Sequence, residues 1–377
     1  MLTLCLSLIP IAAALSWIIT KLAIRLGHAA GALDTAPIPG QIKMQRRAIP
    51  NTGGIGIFWG FALPLFAALL ILLASGFDPA KLSFLPHGAL DQLGEFRARI
   101  PLAGGLLICV SLIHALGLVD DRKPLGPLLK LIIMLALAFG ASYLTNSRIL
   151  TMLDVQVGGP WLSYLLTVLW IVTLTNAMNF LDNMDGLSGG VGAITSASFA
   201  VVAAMHGHWF IAACFALLCG SLSGFLLHNF PPAKVFMGDG GSLVIGFLIA
   251  ILSIRITYID DASVGWYALL TPFAILAVPL YDFTSVTIVR LSKGKSPFVG
   301  DLNHFSHRIV RRGLSKRSAV LVIYGFAACT GLAGILMSHL REWQAILLAA
   351  QIMVMLIVVA IFEYAAATDP SSEGGTL

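Results

Sequence analysis

Charge is what this sequence has least of. Only 11% of its 377 residues are Asp, Glu, Lys or Arg, while 58% are hydrophobic and the mean hydropathy is +0.91. Soluble globular chains carry about 25% charge, so a water-facing domain is excluded as the main body. Long polar connections are missing too, which leaves no room for a second, soluble domain. The first apolar run lacks a basic n-region, and its first basic residues, Lys21 and Arg25, follow it. That run reads as an uncleaved helix with its N-terminus outside, not as a signal peptide. Cysteine is scarce. Cys5, Cys109, Cys214, Cys219 and Cys329 all sit in apolar runs without metal-ligand spacing, so they read as small core side chains.

What the chain has in quantity is apolar runs of membrane-crossing length. A helix of roughly 20 such residues satisfies its whole backbone internally and spans a bilayer. Eleven such runs are centred near residues 2–20, 54–74, 101–119, 127–144, 161–178, 187–205, 209–228, 240–257, 266–289, 319–338 and 343–363. The expectation is an all-α integral membrane protein of about 11 transmembrane helices, a single polytopic domain over 1–365 followed by a short disordered tail at 366–377. With the N-terminus outside, the inside loops carry 17 of the 23 basic residues, as the positive-inside rule requires.

The same sorting puts the acids on the cytoplasmic side. Asp120 and Asp121 end a span in "LGLVDDRKPLG", Asp182 and Asp185 follow one in "TNAMNFLDNMDGLSGG", and Asp239 precedes one in "AKVFMGDGGSL". The segment "SPFVGDLNHFSHRIVRRGLSKR" falls there as well. One cytoplasm-facing polar site built from several loops is the economical reading. Each cluster also has a plainer one. The Asp pair is an ordinary pair of loop acids, or two oxygen ligands for a hard divalent cation. Asn176, Asn179, Asp182 and Asp185 recur every third residue, which forms a solvated cap or a polar stripe able to hold a metal and a substrate hydroxyl. The Gly-rich turn at Asp239 is a capped helix start, or a cradle of free N–H groups for a phosphate. The basic residues of 290–318 read mainly as lipid-surface charge. His304 and His307, one turn apart beside Arg308, Arg311 and Arg312, suit an anionic ligand such as a diphosphate. His114, His206, His208, His228 and His339 read as core or interface residues.

In order along the chain, these motifs resemble the polyprenyl-phosphate N-acetylhexosamine-1-phosphate transferase family. "GLVDDR" resembles its aspartate pair, "NAMNFLDNMDGLSGG" its NAxNxxDGxDGLxxG signature, "VFMGDGGSLVIG" its FMGDxGS signature, and "SPFVGDLNHFSHRIVRRGLS" its His-containing loop. The resemblance implies Asp120, Asp121, Asp182 and Asp185 as catalytic acids, with Asp182, Asp185 and Asp239 toward Mg²⁺ (Mn²⁺ as a substitute). It implies Lys43, Asn176, Asn179, Asn183, Lys130, His304, His307 and Arg308 as substrate-binding residues. The implied partners are a UDP-N-acetylhexosamine, undecaprenyl phosphate and the lipid bilayer of a bacterial inner membrane. No nucleic acid is expected, and a homodimer remains open. The family's usual Gly stands here as Asn183, its usual loop His as Gln45, and the middle His of His-x-His-His as Ser306. The pattern is nearer the N-acetylglucosamine-1-phosphate branch than the phospho-N-acetylmuramoyl-pentapeptide branch. A transporter is the competing class; it predicts ionisable groups near span midplanes, whereas these acids lie at span ends.

Overall fold

The computed structural model describes residues 1–29, 31, 49–256, 258, 266–296, 303–337 and 339–365. Lys43, Gln45 and the tail at 366–377 lie outside the described residues. The chain enters on α1 (Leu2–Ala29) and α2 (Gly53–Ser75). Two short surface helices, α3 (His87–Leu90) and α4 (Leu93–Ala98), lead into α5 (Ile100–Arg122) and α6 (Pro127–Leu144). Then follow α7 (Trp161–Leu181), α8 (Leu187–Met205), α9 (Trp209–Asn229) and α10 (Asp239–Ile254). The last part comprises α11 (Thr271–Ile275), α12 (Ala277–Ser292), α13 (Phe305–Arg311), α14 (Lys316–Met337) and α15 (Glu342–Ala365).

Eleven equivalent spans are not what forms. Among the described residues nine helices are long and apolar enough to cross a membrane, and the other two apolar runs fold differently. One becomes α10, only 16 residues long and buried on every side from Gly240 to Ser253. It is the post around which α7, α5 and α2 pack. The other breaks between α11 and α12 with a 73° bend. Pro279 supplies the cause, since it cannot bond back to the Ile275 carbonyl and its ring crowds that position.

Close packing depends on small residues where helices touch. On α9, a Cβ at Gly220 would lie 2.2 Å from the Ile9 carbonyl oxygen of α1, and one at Gly224 would lie 2.1 Å from that of Ala13. The large apolar side chains that remain exposed, such as Leu22, Leu70, Ile132, Leu169, Ile288 and Ile361, lie on the outer helix faces, as a lipid-facing surface requires. The chain is a multi-pass membrane protein.

Candidate active site

The site grows from the N-terminus of α10. The strand-like approach 236–237 is tied to α2, whose first amides, Gly53 and Gly54, donate to the Phe236 and Met237 carbonyls at 2.9 Å each. The chain then turns at Gly238, with φ +66°, a left-handed conformation that glycine adopts without penalty. A Cβ there would also strike Asn51 Oδ1 at 2.4 Å and Asp121 Oδ2 at 2.6 Å. From below, α5 approaches at Gly117 so closely that a Cβ would lie 2.4 Å from the Asp239 carbonyl oxygen. His114, one turn earlier on α5, donates from Nδ1 to the Gly240 carbonyl at 2.7 Å while stacking on Phe58.

This approach delivers Asp121 to the helix start. Its Oδ1 accepts the Asp239 amide at 2.8 Å and the Asn51 side-chain amide at 3.0 Å, and its Oδ2 accepts the Gly240 amide at 3.0 Å. The cradle read from "FMGDGGS" is therefore filled by the protein's own anion, because a carboxylate satisfies the helix N-terminal amides as a phosphate would. The neighbouring Asp120 accepts the Leu125 amide at 2.8 Å and meets the Lys130 ammonium at 3.2 Å. Lys130 also pairs with Asp239 Oδ2, while Asp239 Oδ1 accepts the Asn179 amide at 2.7 Å. Asn179 donates to Ser242 as well, at 2.8 Å. One lysine thus bridges two acids from different helices, and one asparagine of α7 locks the second.

The every-third-residue stripe divides. Helix α7 ends at Leu181, so Asp182 and Asp185 leave the helical face on a turn. Asn176 donates to the Val172 carbonyl of its own helix at 2.8 Å instead of joining the acids. Asp182 joins them electrostatically. Burial, then the charges of Asp239, Asp121 and Asp185, hold its carboxyl well above the usual carboxylate range, against the opposing pull of the Gly238 amide. Asp185 Oδ2 accepts the Ala233 amide at 3.0 Å and so anchors the loop before α10. The turn is fixed further by Asn229, which accepts the Gly186 amide at 2.9 Å, and by the Tyr324 hydroxyl on the Gly186 carbonyl.

The histidine segment packs on the same end of the bundle. The Ser306 hydroxyl donates to Asn183 Oδ1, and Asn183 donates in turn to the Phe180 carbonyl at 2.7 Å. His304 and His307 are both buried, their ring centroids 6.4 Å apart. His307 is held down to about 4, first by burial and then by the cost of a second positive charge beside the His304 ring and the Arg311 guanidinium. Arg308 is engaged with the protein: Nε faces Glu363 at 2.9 Å, NH2 donates to Ser285 at 2.7 Å and NH1 to the Asn303 carbonyl.

Four participants escaped the sequence reading. Asn51 is uncharged and carries no motif signal, and Ser242, although it closes the FMGDxGS pattern, was given no role. His114 was read as an ordinary core residue. Asp282, fully buried in α12 and bonded to His304 at 2.9 Å, had a usable signal, an acid inside an apolar run. Among the described residues no three His, Cys, Asp or Glu side chains stand together as a preformed metal cage. The donor chemistry is nevertheless that of a hard cation: clustered carboxylates, with unrelieved repulsion centred on Asp182.

The chain is similar to known proteins over most of its length. The family model for glycosyl transferase family 4 matches residues 103–257. A probable undecaprenyl-phosphate N-acetylglucosaminyl 1-phosphate transferase of Bacillus subtilis is 32% identical over 356 residues, covering 91% of this chain and 87% of its own. The decaprenyl-phosphate N-acetylglucosaminephosphotransferase of Mycolicibacterium smegmatis is 32% identical over 80% of this chain and 73% of its own. The undecaprenyl-phosphate alpha-N-acetylglucosaminyl 1-phosphate transferase of Escherichia coli K12 is 30% identical over 70% of this chain and 72% of its own.

Proposed function

Because the chain belongs to the polyprenyl-phosphate N-acetylglucosamine-1-phosphate transferases of glycosyl transferase family 4, and is a phosphoglycosyl transferase, we propose that it moves N-acetylglucosamine 1-phosphate from UDP-N-acetylglucosamine to undecaprenyl phosphate and releases UMP. The observation that carries this reading is the convergence of Asp120, Asp121, Asp182 and Asp239, from three separate motifs, on one end of α10 around Lys130.

The reaction joins two anions, so neutralising charge is the main task. An oxygen of the lipid phosphate attacks the β-phosphorus of the nucleotide sugar, the bond to the UMP phosphate breaks, and its electron pair leaves with UMP. Lys130 offsets part of the charge of Asp120 and Asp239 and keeps both side chains in place. Asp120, the less constrained acid of its pair, orients the attacking phosphate or takes its proton. Asp182 and Asp239 would hold Mg²⁺, which is commonly bound by one or two carboxylates together with substrate phosphates. When bound, the ion offsets charge on the leaving UMP. His304 and His307, on the same end of the bundle, would contribute to holding the phosphate groups.

The basic residues of the loops at this end support a site facing the cytoplasm at a bacterial inner membrane, with the N-terminus of α1 outside. That placement suits one water-soluble and one isoprenoid substrate. The test uses purified protein, Mg²⁺, undecaprenyl phosphate and a panel of UDP-sugars, with UMP as the readout. UMP formed with UDP-N-acetylglucosamine is expected, whereas folded protein that forms none with any sugar rejects the reading. Sequential kinetics are expected for direct attack, and ping-pong kinetics would require an aspartyl intermediate instead.

A further inference from the structure

Asp282 sits in the apolar helix α12, 0% exposed, and no step above uses it. Both of its oxygens hold the residue pair that opens α13. Oδ2 is 2.9 Å from His304 Nδ1, and Oδ1 accepts the Phe305 amide at 2.6 Å. On the other edge of the imidazole, the Arg290 guanidinium, 2% exposed, lies 3.5 Å from Nε2. Arg290 also covers the Phe180 ring at 5.0 Å, and Phe180 meets His304 edge-on at 5.9 Å. The Asp282, His304 and Arg290 side chains therefore form a buried row packed on the last turn of α7, which leads two residues later to Asp182.

The two charged neighbours demand the same tautomer. An ionised carboxylate only accepts, so Nδ1 carries the ring proton; a guanidinium only donates, so Nε2 carries the lone pair. A buried carboxylate in an apolar helix is costly unless it is paired. Capping the Phe305 amide alone would occupy one oxygen, and the second is committed to the imidazole. We propose that Asp282 is a positioning residue for the transfer reaction. It fixes the ring plane of His304 and keeps the proton on Nδ1, which leaves the bare Nε2, beside Arg290, as the ring atom that takes the proton from the lipid phosphate handled next to Asp182. The inference rests on the transferase reading and extends it to a residue that no motif marks.

The test compares wild-type protein, Asp282→Asn, His304→Gln and the double variant for UMP release, with thermal midpoints measured alongside. Nitrogen-15 spectra of histidine-labelled wild type and His304→Gln identify the His304 signals. Wild-type His304 is expected to show a protonated Nδ1 and a bare Nε2. Asp282→Asn, whose amide cannot serve both partners as an acceptor, should lose about 10- to 100-fold in turnover. Adding it to His304→Gln should cost nothing further, because Asp282 acts through His304. A proton found on Nε2 in the wild type, or full additivity in the double variant, overturns the inference. If Asp282→Asn fails to fold, the wild-type tautomer decides. Wild-type protein that forms no UMP overturns the transferase reading instead, and the tautomer then still tests the bond between Asp282 and His304.

Discussion

Ser306 and Asn183, 123 residues apart, are joined by a hydrogen bond from the serine hydroxyl to the amide oxygen. It ties the histidine segment to the turn that follows α7. Both positions differ from the residues the family resemblance leads one to expect, Gly and His, and the bond makes the two differences a matched pair. A glycine at 183 would offer no acceptor, and the Ser306 hydroxyl would then have no partner there.

Ser306→Ala and Asn183→Ala should each lower transfer about 5-fold, and the double variant should be little worse than either. That corresponds to a coupling of about 1 kcal/mol, the usual net worth of one such bond. UMP release from the three variants measures it, and independent, multiplying losses would show that the contact is not a latch.

Among the described residues, Lys130 bridges Asp120 and Asp239. Lys130→Met leaves two largely buried carboxylates facing each other and should cost about 3 kcal/mol, the typical result of removing one partner from a buried pair. A thermal midpoint well below wild type, together with loss of transfer, is expected. Lys130→Arg should recover part of the stability.

Asp182 bears the repulsion of its neighbours and the cost of burial. Asp182→Asn removes both while keeping the shape, so without divalent cation it should melt later than wild type, by on the order of 2 °C per kcal/mol gained. It should also abolish transfer. Mg²⁺ should raise the midpoint of the wild type and leave that of the variant nearly unmoved. Equal responses of the two proteins would remove Asp182 from the cation site.

His307 sets an acid limit. Its folded value of about 4 lies below the ordinary 6.5, so the unfolded chain binds the extra proton first. The stability it contributes is complete above about pH 6.5 and is lost as the pH falls from there toward 4. Melting curves across that window should show the decline, and His307→Gln, which cannot protonate, should flatten it.

Gly117→Ala changes no charge, yet its methyl group would meet the Asp239 backbone, which cannot yield as a side chain can. The variant should displace the start of α10 and lose transfer at least 10-fold while the protein still inserts and folds. UMP release set against the yield of folded protein checks this.

Hydrophobic runs made the membrane class legible, because periodic detail does not matter when a whole run must be apolar. They could not separate a crossing helix from α10 or from the bent α11 and α12, since burial by protein and burial by lipid select the same side chains. The acids were legible as costly groups at span ends. Their division of labour was not: Asp121 as a cap for α10 and Asp185 as an anchor for Ala233 depend on backbone amides brought from more than 40 residues away. Asn176 and Asn179 look alike in sequence, and only the direction of α7 against α10 separates them. Asp282 was hidden by the apolar average of its own run.

The shortness of α10 has a consequence for depth. Sixteen residues at 1.5 Å each extend about 24 Å, while the hydrocarbon layer is about 30 Å thick. The deficit of about 6 Å falls most economically at the Asp239 end, where polar side chains and not apolar ones border the helix. In the reaction proposed above, that shortfall would let the water-soluble donor meet the lipid phosphate below the headgroup plane.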